Sequence, residues 1–235
     1  MEKYFDASYI WESIPLLIPF LKMTFMVAGL SVLFGTLLGF ILTVAKTGKS
    51  KFARKLATGY TTIIRCTPSI VLLFLVYYGL PAIGDRFGLN LNNIDTAVFV
   101  IITFTLQFAA AMSEVMRSAF QSIDNGQFEA AVSVGLSNSQ AYRRIVFPQA
   151  FVVALPNFGN SLLAVLQEGS LAYTIGLIDV VGKANLIIAG NYNAHALEIF
   201  LALAIIYWIL SIAIEQFFLK LEQVFSKGKQ GLKTA

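Results

Sequence analysis

Charge is scarce in this sequence: lysine, arginine, aspartate and glutamate make up 13% of its residues, where a soluble domain carries about a quarter. The hydrophobic share is 57%, which excludes an ordinary water-soluble domain and points to the membrane class. Cys66 is the only cysteine, so no disulfide can close within the chain. His195 is the only histidine; one soft ligand of each kind argues against a metal centre, and no cofactor is expected. Acids scattered around one histidine and one cysteine form no catalytic cluster. Gly48-Lys49-Ser50 lacks the upstream glycine of a phosphate-binding loop, so any ATP chemistry must come from a partner. There is no internal repeat, low-complexity tract or second domain, and residues 1–235 read as one unit. The net charge of +4 belongs beside membrane spans rather than against nucleic acid.

What is abundant is long uncharged runs. Residues 23–45, 66–84, 96–113 and 145–167 approach or exceed the roughly 18–20 residues needed to cross the hydrocarbon. A fifth, 199–214, is shorter but is extended past Glu215 by Phe217, Phe218 and Leu219. The weaker segment 171–181 contains Thr174, Gly176 and Asp179; it reads as a re-entrant or outer-face gating element. The expectation is an all-α membrane protein with five transmembrane helices.

Lysine and arginine set the orientation. With the N-terminus outside, 13 of the 17 positive residues fall inside, among them Lys46, Lys55, Arg65, Arg143, Arg144, Lys220, Lys227, Lys229 and Lys233; only Lys3, Lys22, Arg86 and Lys183 fall outside. The expected topology is therefore N-out, C-in. The start carries Glu2, Lys3, Asp6 and Glu12 rather than a basic leader, so no cleavable signal peptide is expected. Tyr9 and Trp11 stand where an interfacial anchor belongs.

Polar residues inside the spans are the candidate pathway. Gly35 and Gly39 in the first span form a small-xxx-small pair suited to close helix packing. Arg65-Cys66-Thr67-Pro68 opens the second, with Pro68 at a helix start and Arg65 at the inner headgroup level. Gln107, Ala111, Glu114 and Ser118 share one helical face of the third, and Arg117 can pair with Glu114; Glu114 is either a structural ion pair or a pathway residue. In the fourth, Asn157, Asn160, Ala164 and Glu168 align, with Gln167 and Ser170 beside them. These amides either bond across helices or meet a solute where Pro156, Gly159 and Gly169 permit local unwinding.

Between the third and fourth spans, residues 121–150 are a polar loop expected to dock a cytoplasmic partner. Gly126 reads as a helix stop, with helix resuming near Gln127 and breaking at Gly135. Ser137 or Asn138 then caps a second short helix that runs through Val146, and Pro148 ends the loop. Residues 127–140 contain no lysine or arginine, unlike a membrane-surface helix. Ala130 and Ala131 leave room for a partner's groove, and Glu129 can take a cation.

Glu129-Ala130-Ala131, Gly135 and the following Ile145-Val146-Phe147-Pro148 resemble the EAA signature of the transmembrane permease subunits of bacterial ABC importers for polar amino acids. Phe147 stands where leucine is usual. Arg65-Cys66-Thr67-Pro68 is similar to that family's Arg-Gly-Thr-Pro, while Gln167-Glu168-Gly169-Ser170-Leu171 departs from its Lys-Asp-Thr-Ser-Leu. Within the family, the stretch after Ser133 is most similar to the L-cystine permeases. The resemblance implies a pathway formed with a second copy or paralogue in the bacterial cell membrane. It also implies cytoplasmic ATP-binding subunits engaging Glu129, Ala130, Ala131 and Gly135, and an extracytoplasmic solute-binding protein delivering the amino acid. ATP closure would open the pathway outward, and hydrolysis would reset it. The alternatives are a permease of the same type for another polar amino acid, such as glutamine or arginine, and, from a different class, a self-contained channel, whose polar ring Glu114 and Glu168 could supply.

Overall fold

A computed structural model of the chain describes residues 5–226; Glu2, Lys3, Lys227, Lys229 and Lys233 of the readings above lie outside the described residues. Helix α1 (Ser8–Leu17) passes through a tighter turn, Ile18–Phe20, into α2 (Leu21–Thr47). Then come α3 (Lys51–Cys66), α4 (Ser69–Arg86), α5 (Thr96–Gln121) and the short α6 (Asn125–Ser133) and α7 (Asn138–Ala141). A wider π-helical turn over Tyr142–Val146 leads into α8 (Phe147–Glu168), 3-10 turns over Gly169–Ile175, α9 (Val180–Gly190) and α10 (Ala196–Ser226). Five segments are long and apolar enough to cross a membrane: Ser8–Thr47, Ser69–Arg86, Thr96–Gln121, Asn138–Ile175 and Ala196–Phe225. The five expected spans are all present.

Three boundaries differ from expectation. The second run does not start a span at Cys66: Thr67 and Pro68 break it, and the supposed connection after Lys46 is the helix α3. Its Lys51, Arg54, Lys55 and Arg65 lower the hydropathy and hide a helix whose inner stripe, Ala57, Thr61 and Ile64, is buried. Pro156 and Gly159 do not unwind α8; regular helix continues to Glu168 and tightens only from Gly169. A Cβ on Gly159 would lie 2.9 Å from the Phe218 ring, so that glycine admits α10. Gly126 is no stop either, because α5 ends at Gln121 and Asp124 caps α6, its Oδ1 accepting from Gly126 N at 2.8 Å.

The interior is organised around α2 and α5, which run parallel. Ser31 Oγ donates to the Ile101 carbonyl and Thr43 Oγ1 to that of Ser113, both across 70 residues of sequence. A fixed offset along both helices means the same direction. Gly35 and Gly39 are what let them meet: a Cβ would stand 2.9 Å from Phe108 Cβ at the first and 2.8 Å from Met112 Cβ at the second. At the far end Lys46, 7% exposed, donates to Ser113 Oγ at 2.9 Å and pairs with Glu114 Oε1 at 2.5 Å. Arg117 closes on Glu114 Oε2 through Nε and Nη2 at 2.9 and 2.7 Å, and its Nη1 reaches Gln121 Oε1 at 2.6 Å.

A second apolar cluster joins α1, α9 and α10 around Leu17, Val180, Ala184, Ile199 and Ala202. Tyr9 stacks on His195 with centroids 3.6 Å apart, while Trp11 stays exposed. The 171–181 segment does not cross: Gly176 takes a left-handed φ of 90° and Asp179 caps α9. Asp179 is buried; its Oδ1 accepts from Val181 N and Gly182 N at 3.0 and 2.9 Å, and Thr24 Oγ1 donates to its Oδ2 at 3.3 Å. Burial pushes its carboxyl above the ordinary range, against those donors.

Two outcomes are expected. Gly39→Leu forces α2 off α5 and costs about 1–3 kcal/mol by overpacking, whereas Gly29→Ala, with nothing within 4 Å of its Cβ, is tolerated; thermal unfolding of the purified protein separates them. Asp179 is protonated more readily folded than unfolded, so its contribution is full below the ordinary carboxylate value and is lost as pH rises toward the raised one. Asp179→Asn keeps the cap and flattens that dependence in pH-resolved melting curves; Asp179→Ala loses about 1 kcal/mol with the cap.

Candidate functional site

The break at Thr67-Pro68 opens a cavity of about 500 Å³ beside α5 and α8. Three elements meet there: Arg65 to Ser69 from the broken helix, Gln107 and Ala111 from α5, and Ser161, Ala164 and Glu168 from α8. Gln107 is 11 residues from Thr96 and 14 from Gln121, so the cavity sits near mid-span of α5. Proline at the start of α4 costs no hydrogen bond, and the interrupted ladder leaves polar groups facing the space, as in carriers that bind solute at the midplane.

Polar contacts in the cavity run through Ser69. Its hydroxyl donates to Glu168 Oε2 at 3.0 Å and accepts from Gln107 Nε2 at 2.8 Å. Gln107 Oε1 is buried with no donor, an acceptor left over for a ligand. Arg65 is exposed on the cavity wall and makes no hydrogen bond or ion pair among the described residues. The cavity therefore offers a free guanidinium, a carboxylate with one oxygen uncommitted, and an orphan amide oxygen. Together they can hold one cationic and one anionic group of the same small molecule.

Of the polar faces read from sequence, Gln107 and Ala111 on α5 and Ala164 and Glu168 on α8 line this cavity. Glu114 does not, because Lys46 and Arg117 occupy both its oxygens. Asn157, Asn160 and Gln167 are exposed on other parts of α8, and Ser170 lies in the tight turns beyond it. Arg65 is not at the inner headgroup level, since it shares the cavity with Gln107. The missed residues, Arg65, Thr67 and Ser69, carried a readable signal: a proline inside an apolar run marks a broken span.

The loop after α5 is the second candidate site. Asp124 caps α6, Gly135 turns the chain at φ 94°, and Ser137 with Gln140 makes a reciprocal capping box on α7. Phe128 packs on Tyr142 with centroids 4.9 Å apart, fixing α6 to the π turn. Glu129, Ala130 and Gly135 are exposed, but Ala131 is turned inward at 6% exposure, so it supports the loop from within. Pro148 sits in the first turn of α8, where the loop gives way to the fourth span. Val134, missed in the sequence, stands out at 81% exposure.

Residues 31–226 match the family model described as the binding-protein-dependent transport system inner membrane component. The chain is 38% identical to the L-cystine transport system permease protein TcyL of Bacillus subtilis, covering 100% of this chain and 97% of that one. It is 32% identical to the glutamine transport system permease protein GlnP of Escherichia coli, covering 93% and 97%. A solved amino acid ABC transporter with histidines superposes with a TM-score of 0.81 at 29% identity, covering 94% and 99%. With five membrane-crossing helices and a family match over most of its length, the chain belongs to the inner membrane components of binding-protein-dependent transport systems.

Proposed function

We propose that this chain is the permease of an ATP-driven importer for a polar amino acid, with L-cystine as the substrate. The carrying observation is the cavity that places Arg65 and Glu168 around one space. An α-amino acid presents a carboxylate and an ammonium on the same carbon, matching a guanidinium and a carboxylate side by side. A volume of about 500 Å³ lies within the roughly 300–1,000 Å³ of small-ligand sites. The choice of L-cystine is supported by the full-length similarity to an L-cystine permease.

In this reading the pathway needs a second copy or a paralogue. Asn157, Asn160 and Gln167 are exposed on a membrane-crossing helix, where amides facing lipid are costly, and a facing subunit or aqueous pathway satisfies them. The chain lies N-out and C-in in a bacterial cell membrane, with the α6–α7 loop on the cytoplasmic side. ATP-binding subunits engage Glu129, Ala130 and the Gly135 turn there, and an extracytoplasmic binding protein loads the outer face.

Cys66 is exposed and lines the cavity, so it reports occupancy without any engineering. Maleimide labelling of Cys66 in the assembled transporter should slow when L-cystine is present and recover after washing without reductant, which separates occupancy from a mixed disulfide formed by thiol–disulfide exchange. Arg65→Gln or Glu168→Gln should cut uptake about 10- to 100-fold, the worth of one charged hydrogen bond. Unchanged labelling and uptake would remove the cavity as the amino-acid site. L-Glutamine protecting where L-cystine does not would change the substrate alone.

At the loop, Glu129→Lys and Gly135→Pro should abolish ATP-dependent uptake while the protein still reaches the membrane. Proline requires φ near about −65°, far from the 94° observed. In a Cys66→Ser background, Val134→Cys should react with an impermeant thiol reagent only from the cytoplasmic side; reaction from outside would reverse the proposed orientation.

A further inference from the structure

At the end of the bundle that carries Lys46 and the α6–α7 loop, two cavities share three phenylalanines. An almost wholly apolar crevice of about 590 Å³ runs between α2, α5, α8 and α10, walled by Leu37, Met116, Ala154, Phe158 and Phe217. A more polar hollow of about 490 Å³ adjoins it beneath the loop, reaching Thr47, Asp124, Tyr142 and Arg143. Phe40, Phe120 and Phe147 line both, so the two form one groove with an apolar length and a polar mouth.

The mouth carries a specific charge. Arg143 makes no hydrogen bond or ion pair among the described residues and is exposed. The acid nearby, Asp124, already accepts from Gly126 N at 2.8 Å through Oδ1. Arg143 and Tyr142 come from the π-helical turn, and Val146 and Phe147 extend the same wall; such turns are enriched where a helix serves a ligand. Arg144, its neighbour, does not line the groove.

We propose that this groove binds an anionic phospholipid of the inner leaflet, one acyl chain in the apolar crevice and the phosphate against Arg143. The chemistry is that of a basic pocket between membrane helices on the cytoplasmic side, which takes acidic lipid headgroups. An apolar length ending at an unpaired guanidinium complements a phospholipid better than a protein helix, which would leave the cation without an anion. The inference rests on the proposed orientation and touches none of the amino-acid cavity. The bound lipid spans α2, the π turn and the start of α6, so it ties the ATPase-facing loop to the bundle.

The test uses the full-length chain purified with its ATPase partner, incubated with phosphatidylglycerol or phosphatidylcholine and examined by native mass spectrometry. The wild type should retain phosphatidylglycerol in preference to phosphatidylcholine. Arg143→Gln should retain about five-fold less of it, the share one basic side chain contributes at an anionic surface, while Arg144→Gln behaves as wild type. Ala154→Trp and Leu37→Trp fill the crevice from opposite walls, and either one, if it melts like wild type, should displace the lipid. Equal retention in all variants overturns the proposal. Loss of the ATPase subunit from Arg143→Gln with lipid retained also overturns it, assigning the guanidinium to protein docking. Loss of the permease dimer from a tryptophan variant with lipid unchanged does the same, assigning the crevice to a second copy. Maleimide protection at Cys66 stays intact in each case, so failure here is separable from failure of the amino-acid reading.

Discussion

The close parallel approach of α2 to α5 is the constraint on which the rest of the molecule depends. Two residues without side chains, Gly35 and Gly39, allow it, because helix association in lipid has no hydrophobic drive and relies on tight van der Waals packing. From that contact the chain's order in space follows. The segment between the two helices must return to the starting side, and it does so as α3 and α4, split at Thr67-Pro68. The split is what leaves Arg65 and Ser69 beside Gln107, so the packing of one helix pair and the polar cavity have a common geometric origin.

The two ends of the bundle are held by different chemistry. One end is clasped by Lys46, Glu114, Arg117 and Gln121, a chain of charge-assisted bonds from α2 to the last turn of α5. The other is held by burial of apolar side chains from α1, α9 and α10, with polar joints from Thr24 to Asp179 and from the backbone of Asp6 to Glu198. The ionic end adjoins the α6–α7 loop, where force from an ATP-binding subunit is proposed to enter. Charge-assisted bonds fix geometry more tightly than an apolar contact that can slide, and Glu114 is held by Arg117 through Oε2 and by Lys46 through Oε1.

Much of this was legible from residue patterns. The five spans follow from run length, and the glycine pair from its four-residue spacing. Gly135 was readable as a break because only glycine takes a left-handed φ at low cost. What was hidden had physical causes. Lysines and arginines along α3 depress its hydropathy, so a helix packed on the bundle read as a connection. The same habit placed Arg65 at a headgroup, although α3 carries it toward mid-span. Glu114 and Glu168 look alike in sequence, and only the partners brought by α2 and α4 separate an ion pair from a cavity wall. Ala130 and Ala131 are adjacent and identical in type, yet helix periodicity turns one outward and the other in.

Because α2 and α5 run parallel, their peptide dipoles add instead of cancelling as they would in an antiparallel pair. Their negative carboxyl-terminal poles, each equivalent to about half an elementary charge, end up at the same end of the bundle. Lys46 sits in the last turn of α2 and Arg117 just ahead of the last turn of α5, and a single carboxylate, Glu114, lies between them. The local excess of one cation offsets the two aligned backbone fields, giving the positive residues at this end an electrostatic task set by the helices as well as by topology.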